Sequence, residues 1–118
     1  MPSSEDCEEY SDFHAHVLPD FIVSVDKNRK YLDVSDDFCK ILGYSRGELI
    51  GKRFDEITAP GTNNIAVVFG LFLRIRYMHG IWIFLDRSRT TKILVRYEAW
   101  LLLDSRIECK MELLGAGA

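Results

Sequence analysis

The spacing of hydrophobic residues changes near Gly80, where a helical repeat gives way to a repeat of two. After this point residues 81–85 and 93–103 are mainly apolar, and residues 107–113 alternate strictly between apolar and charged side chains. Alternation of this kind places every second side chain on the same face of an extended strand. The last third of the chain therefore predicts three antiparallel strands, of which the last is half-buried.

The first third of the chain predicts a helix followed by a β-hairpin. Residues 4–17 carry apolar side chains at helical spacing, and Pro19 ends this segment. Two short apolar runs, 21–25 and 31–34, then flank the polar turn 26–29. The helix has only a narrow apolar stripe, so we expect it to pack on the body or on a second copy of the chain.

The middle of the chain predicts short helices with recognisable ends. Ser35 is the expected N-cap of the first helix, and Gly43 suits the position where that helix ends. Ser45 and Glu48 have the spacing of a capping box for the next helix. Residues 54–57 then form a further short helical turn.

A longer helix is predicted at residues 63–77, with Thr62 as its cap. Ala66 and Gly70 form a small-residue groove on it, one turn apart. The predicted apolar face comprises Val68 or Phe69, Phe72 and Ile75.

This order of elements indicates an α+β fold. We expect a five-stranded antiparallel sheet with short helices on one face and an N-terminal flanking helix. The flanking helix is assigned to residues 1–19, the folded domain to 20–114 and a frayed C-terminus to 115–118. A length of 118 residues suits one domain.

The composition narrows the range of partners and compartments. A net charge of -3 gives no electrostatic reason to expect nucleic-acid binding. The longest apolar run, 65–73, covers about half a membrane span, so we expect no membrane contact. The acidic N-terminus lacks the apolar segment of a signal peptide. Three widely spaced cysteines fit reduced thiols better than disulfides or zinc. We therefore expect a cytoplasmic protein.

The most specific motif of the chain lies between Val34 and Lys52. It consists of Val-Ser-Asp-Asp-Phe, three intervening residues, and then Leu-Gly-Tyr-Ser-Arg-Gly-Glu-Leu-Ile-Gly-Lys. With Asp26 in the first turn and the order of elements above, this motif resembles PAS domains over about residues 13–114. The family often has Asn where this chain has Ser35, and both residues can cap a helix.

The resemblance implies a sensory or signal-transduction module that binds a small ligand or a protein partner. Such a module transmits its signal through dimerisation, here to a histidine kinase or a transcription-regulatory output. The main alternative is a solid-core protein-interaction domain without a ligand. A haem sensor and a small α+β-roll enzyme have less support, and the fold alone does not decide among these functions.

Buried aromatic and aliphatic residues are the candidate lining of a ligand pocket, although a filled core would use the same residues. The pocket candidates are Phe38, Leu42, Phe54, Ile57, Phe69, Phe72, Ile83 and Tyr97. Trp100 and Leu102 share one side of the long strand, which indicates an apolar patch on the outer sheet face. We therefore expect a symmetric homodimer. The interface candidates are Tyr10, Phe13, Val17, Trp100 and Leu102.

The sequence argues against the common cofactors and against catalysis. The stretch 51–57, which corresponds to the flavin-binding motif of related photosensors, contains no cysteine, and Cys39 fits a buried hydrophobic position. A haem sensor needs a helical imidazole, whereas His79 lies just past the long helix and is expected in a loop or on the surface. Tyr97 and Glu98 should face opposite sides of one strand, which rules out the simplest acid–base pair. We expect no metal site and no enzymatic activity.

Overall fold

The computed structural model describes residues 20–62 and 64–117. The predicted helix at 4–17 and the interface candidates Tyr10, Phe13 and Val17 lie outside these residues. The elements are strand β1 (Asp20–Val25), strand β2 (Tyr31–Val34), helix α1 (Asp36–Leu42), helix α2 (Arg46–Leu49), a 3-10 helix (Phe54–Ile57), helix α3 (Ile65–Ile75), strand β3 (Tyr77–Leu85), strand β4 (Lys92–Leu101) and strand β5 (Ile107–Gly117).

The strands form one five-stranded sheet in the order β2-β1-β5-β4-β3, with every neighbouring pair antiparallel. Strands β2 and β3 are consecutive in sequence, yet they lie at opposite edges of this sheet. The helices between them must therefore cross the sheet from one edge to the other. They pack on a single face, where their buried residues join those of the strands in one core. This arrangement confirms the predicted α+β fold.

The sheet curls around helix α1. Phe38 of this helix is fully buried, and its ring centroid lies 5.8 Å from that of Tyr31 in β2 and 5.4 Å from that of Phe84 in β3. In a flat sheet the two edge strands would be about 19 Å apart, at roughly 4.8 Å per strand spacing. One ring can touch both edges only because the sheet is strongly curved.

The ends of α1 and α2 follow their sequence signals with one exception. The Ser45 hydroxyl accepts a hydrogen bond from the Glu48 amide (3.2 Å), and the Glu48 carboxylate accepts one from the Ser45 amide (2.9 Å), which confirms the capping box. Ser35 stands at the N-cap of α1 without a side-chain capping bond. Its hydroxyl instead accepts from the Ile22 amide (3.3 Å), so it ties α1 to the sheet.

Helix α3 is shorter than the predicted helix 63–77. Asn64 caps it, whereas the predicted cap Thr62 donates its hydroxyl hydrogen to the Ala59 carbonyl (2.6 Å). At the other end Arg76 adopts a left-handed conformation with φ 70°, which turns the chain directly into β3. Across the described ranges, no helix is long and apolar enough to cross a membrane.

The apolar face of α3 also differs from the prediction at its last position. Phe69 and Phe72 are buried as expected, but Ile75 is 54% exposed. Ile75 is the last residue of the helix, and the chain turns away immediately after it, which leaves about half of this side chain exposed. The predicted inward position of Ile75 was wrong.

Strands β3 and β5 extend beyond their predicted bounds. Because β3 begins at Tyr77, His79 lies on a strand and not in a loop, and its side chain is on the surface, which is the other predicted alternative. Strand β5 continues through residues 115–117, which pair with the start of β4 and do not fray. Strand β4 ends two residues early, since the Leu102 amide donates to the Arg106 carbonyl (2.8 Å) in a tight turn.

Two glycines provide a matched test of these local assignments. Gly43 has φ 84° at the end of α1, whereas Gly47 lies inside α2, where a Cβ atom added to it would have no neighbouring atom within 4 Å. We expect Gly43→Ala to lower the free energy of unfolding by about 1–2 kcal/mol, because alanine is strained in the left-handed region. Gly47→Ala should raise it by about 0.5–1 kcal/mol through helix propensity. Urea titrations of both variants measure these changes in the free energy of unfolding. Equal changes in the two variants would contradict the end of α1 at Gly43 and the position of Gly47 inside α2.

Candidate functional site

A cavity of about 90 Å³ lies between helix α3 and the sheet, next to the filled core around Phe38. Phe54 of the 3-10 helix and Phe69 and Phe72 of α3 close it on the helical side. The sheet side includes Trp82, Tyr97, Ala99, Cys109 and Met111. Only apolar atoms face the space. A cavity of this kind suits an apolar molecule better than water, which needs polar partners.

Small residues at paired inward positions explain why the core is not filled here. Ala99 of β4 lies opposite Cys109 of β5 and opposite Met78 of β3. Gly80 lies opposite Tyr97, and a Cβ atom on Gly80 would come within 3.4 Å of the Tyr97 ring. The Tyr97 ring covers Gly80, whereas the alanine and the cysteine on adjacent strands leave a gap that larger side chains would occupy.

Three aromatic side chains that line the cavity also pack against one another. The Trp82 ring meets Phe54 edge-on at 5.8 Å and Tyr97 edge-on at 5.9 Å between centroids. The Trp82 indole nitrogen donates to the buried Thr58 hydroxyl (3.0 Å), which in turn donates to the Phe54 carbonyl (2.7 Å). The polar atom of Trp82 is thus satisfied outside the cavity, which leaves the wall apolar.

The structure separates the eight predicted pocket residues into three groups. Four of them line the cavity: Phe54, Phe69, Phe72 and Tyr97. Phe38, Leu42 and Ile57 are fully buried in the filled part of the core. Ile83 alternates with the inward residues Trp82 and Phe84 and so faces the other side of the sheet.

Sequence reasoning missed the residues that create the space. Ala66 and Gly70, predicted as a small-residue groove, are both exposed on α3 and point away from the cavity. The small residues that matter are Ala99 and Cys109, which sit on strands. Their inward parity was visible in the sequence, but their mutual pairing depends on the register of β4 with β5.

The titratable groups that line the cavity are held in their neutral forms. Burial raises the pKa of the Cys109 thiol to about 12, and it also raises the pKa of the Tyr97 hydroxyl. Glu98 faces the opposite side, where it accepts a hydrogen bond from the Tyr77 hydroxyl (2.8 Å). Within the described residues, no group of three or more histidine, cysteine or acidic side chains could hold a metal ion. The cavity therefore suits an uncharged ligand.

The other face of the sheet combines apolar and charged side chains. Trp100 is half-buried against the Tyr77 ring, with 5.8 Å between centroids, and Ile81 is 47% exposed. Leu102 lies just past the end of β4 and is half-buried. The charged residues of this face include Arg96, Glu98, Lys110 and Glu112. We call this surface the outer sheet face.

Comparisons with known proteins show which family this chain resembles. Residues 11–58 match the family model described as the PAS fold. A search of curated protein sequences found no match. A domain of a sensory box sensor histidine kinase/response regulator from Geobacter sulfurreducens superposes with a TM-score of 0.68 at 20% identity, over 90% of this chain and 92% of that one.

Two further structures show the same fold. The PAS domain of an HTR-like protein from Haloarcula marismortui has a TM-score of 0.69 at 19% identity, over 94% of this chain and 97% of that one. The LOV domain of a blue-light activated histidine kinase from Erythrobacter litoralis has a TM-score of 0.67 at 15% identity, over 82% of this chain and 97% of that one.

These matches confirm the resemblance that the motif between Val34 and Lys52 indicated. The described residues have the fold of PAS domains, and residues 11–58 match the PAS family model. The fold of this chain is similar to those of domains from two histidine kinases.

The raised pKa of Cys109 makes the stability of the domain depend on pH. The folded state keeps this thiol protonated up to about pH 12, whereas the unfolded chain loses the proton near pH 8.5. The free energy of unfolding contributed by this thiol is therefore constant below about pH 8.5 and falls as pH rises from there to about 12. Between pH 8 and pH 10 we expect the thiol to account for a loss of about 2 kcal/mol.

Urea titrations of the native chain and of Cys109→Ala at pH 8 and pH 10 measure this contribution. The variant should lose about 2 kcal/mol less than the native chain over this interval. Burial raises the pKa of Tyr97 in both proteins, and this effect cancels in the comparison, whereas the smaller rise caused by the Cys109 charge is lost together with the thiol. The same decline in both would show that the thiol is not buried as described.

Proposed function

We propose that the chain is the sensory module of a signalling protein, and that the signal is occupancy of the cavity by a small, uncharged, apolar molecule. The observation that carries this proposal is the apolar space between α3 and the sheet of a PAS fold. The module would act in the cytoplasm without catalytic activity of its own. Its similarity to domains of sensor histidine kinases supports a histidine kinase output, with a transcription regulator as the alternative.

The size and chemistry of the cavity support a compact ligand. Pockets that hold drug-sized molecules measure about 300–1,000 Å³, whereas this cavity measures about 90 Å³. Apolar cavities of about 150 Å³ bind benzene or xenon. Because only apolar atoms face the space, a charged or strongly polar ligand would lose its hydration without compensation. The favoured ligand is therefore an apolar molecule no larger than about one aromatic ring.

The proposed signal passes through the sheet to its outer face. Tyr97 and Ala99 line the cavity, while the alternating residues Glu98 and Trp100 lie on the outer sheet face. A ligand that displaces the inward side chains thus biases the surface behind them. We propose that this surface, together with residues 1–19, contacts a second copy of the chain. Its charges of both signs allow a two-fold related copy to place acidic groups opposite basic ones.

A protein-interaction domain without a ligand is the second candidate. The small volume of the cavity favours it, since a space of about 90 Å³ is below the usual size of ligand pockets. In that case the space is a packing defect and the outer sheet face carries the function. Filling the cavity distinguishes the two candidates, because only the first requires the space.

Ala99→Leu is the variant that fills the cavity. Leucine adds three carbon atoms at the point where β3, β4 and β5 leave the gap, and its burial should raise the free energy of unfolding by about 1–2 kcal/mol. We expect fluorobenzene to raise the melting temperature of the native chain and to leave that of Ala99→Leu unchanged.

Ala66→Leu is the matched control, since Ala66 is exposed on α3 away from the cavity. This variant should respond to fluorobenzene as the native chain does. Absence of any response in the native chain, up to the solubility limit of fluorobenzene, would contradict the ligand proposal and favour the second candidate. Native mass spectrometry of the purified chain would show whether a small molecule copurifies with it.

Trp100→Lys tests the proposed dimer. Lysine at this half-buried position of the outer sheet face should separate the subunits, because it places a charge inside the contact. Light scattering at tens of micromolar should give twice the chain mass of 13.6 kDa for the native chain and a single chain mass for the variant. Leu103→Lys, at a position that is 98% exposed in a turn, should remain dimeric. A monomeric native chain would contradict the dimer.

A further inference from the structure

We propose that Arg29 controls access to the cavity by clamping helix α3 against the 3-10 helix. We call Arg29, Asp55 and Phe69 the Arg29 clamp. Breaking the clamp would let α3 move away from the sheet and expose the space beneath it. The part of this inference that concerns ligand exchange rests on the proposed function, whereas the part that concerns the motion of α3 does not.

The clamp joins the two helical elements that close the cavity. The Arg29 Nε atom donates to both carboxylate oxygens of Asp55, at 3.0 and 3.1 Å. The Arg29 guanidinium carbon also lies 5.5 Å from the centroid of the Phe69 ring. Asp55 belongs to the 3-10 helix and Phe69 to α3. One side chain therefore holds both elements through an ion pair and a cation–π contact.

The partners of the clamp are part of the cavity wall or adjacent to it. Phe69 lines the cavity, and so does Phe54, which directly precedes Asp55 in the chain. The centroids of the Phe54 and Phe69 rings are 6.1 Å apart. These two rings form the wall between the 3-10 helix and α3, and Arg29 lies against one of them. Movement of α3 away from Phe54 would open this wall.

Main-chain hydrogen bonds hold the backbone of Arg29 in place. Its amide donates to the Asp26 carbonyl (3.0 Å), and its carbonyl accepts from the Phe54 amide (3.0 Å). The neighbouring residues Lys30 and Arg53 form a β-bridge. These main-chain contacts fix the turn between β1 and β2 to the 3-10 helix. The Arg29 side chain can therefore restrain α3 without the turn itself moving.

Helix α3 is the element that can move. Its sequence contains one charged residue, Arg74, and the helix is attached to the body mainly by apolar packing of Phe69 and Phe72. Apolar packing over a cavity is incomplete, because atoms that face the space lack partners there. The contact with Arg29 is a directional restraint on this helix. The side chains of Arg29 and Asp55 are only 22% and 28% exposed, so solvent screens the ion pair only in part.

Arg29→Gln breaks the clamp while keeping much of the length of the side chain, and Arg87→Gln is the matched control. Arg87 also combines an ion pair, to Glu48, with a cation–π contact, 5.9 Å from the centroid of Tyr44. Neither Arg87 nor its two partners line the cavity. The two variants thus remove the same kinds of contact at different places.

Hydrogen–deuterium exchange of the α3 amides is the first measurement. We expect Arg29→Gln to raise the exchange rate of these amides about tenfold, with the amides of β4 and β5 unchanged. Arg87→Gln should leave the α3 amides as they are in the native chain. Equal α3 exchange in the native chain and in Arg29→Gln would overturn the proposal.

Fluorine NMR of fluorobenzene exchange is the second measurement. If the clamp controls access, Arg29→Gln should raise the association and dissociation rates of fluorobenzene about tenfold each, with a much smaller change in Kd. Unchanged rates in a variant that binds fluorobenzene would overturn the proposal. Failure of the native chain and of Arg29→Gln alike to bind fluorobenzene would instead overturn the proposed ligand function, and amide exchange would still decide whether Arg29 restrains α3.

Discussion

The structure depends on the crossing of the sheet by the segment between β2 and β3. Because these strands occupy opposite edges, the helices that join them must cover one whole face. Phe38 fills the space beneath α1 by contacting rings from both edges, which requires the sheet to curl. The same curvature keeps α3 above β3, β4 and β5, where Ala99 and Cys109 are too small to reach it. One half of the core is therefore solid and the other is hollow.

The hollow half of the core is apolar because its polar groups are either hydrogen-bonded outside the cavity or uncharged. Trp82 donates to Thr58, and burial keeps Cys109 and Tyr97 protonated, so the wall has no charge to offer a ligand. The two walls are also held by different kinds of contact. The sheet is held by continuous strand pairing, whereas α3 is held by aromatic packing and by the Arg29 clamp. A difference of this kind allows occupancy of a small space to be converted into movement of one helix or of the outer sheet face.

Much of the fold could be predicted because local signals agreed with the overall pattern. The change of period near Gly80 and the capping box at Ser45 both indicated elements that the structure contains. The end of α3 and the direction of Ile75 could not be predicted in the same way, because the left-handed Arg76 has no sequence signal of its own. Phe54 and Phe72, two pocket candidates chosen by residue type, line the aromatic part of the cavity wall. The empty space itself depends on strand register, which a single sequence does not reveal.

Two methionines that line the cavity, Met78 and Met111, allow the central claim to be tested directly. The measurement is a series of methyl NMR spectra of the native chain, labelled with carbon-13 at methionine methyl groups, under increasing xenon pressure. The account predicts saturable shifts of the Met78 and Met111 methyl signals, because xenon enters apolar cavities of this kind. Signals of both residues that stay constant over the whole pressure range would contradict an accessible hollow beneath α3.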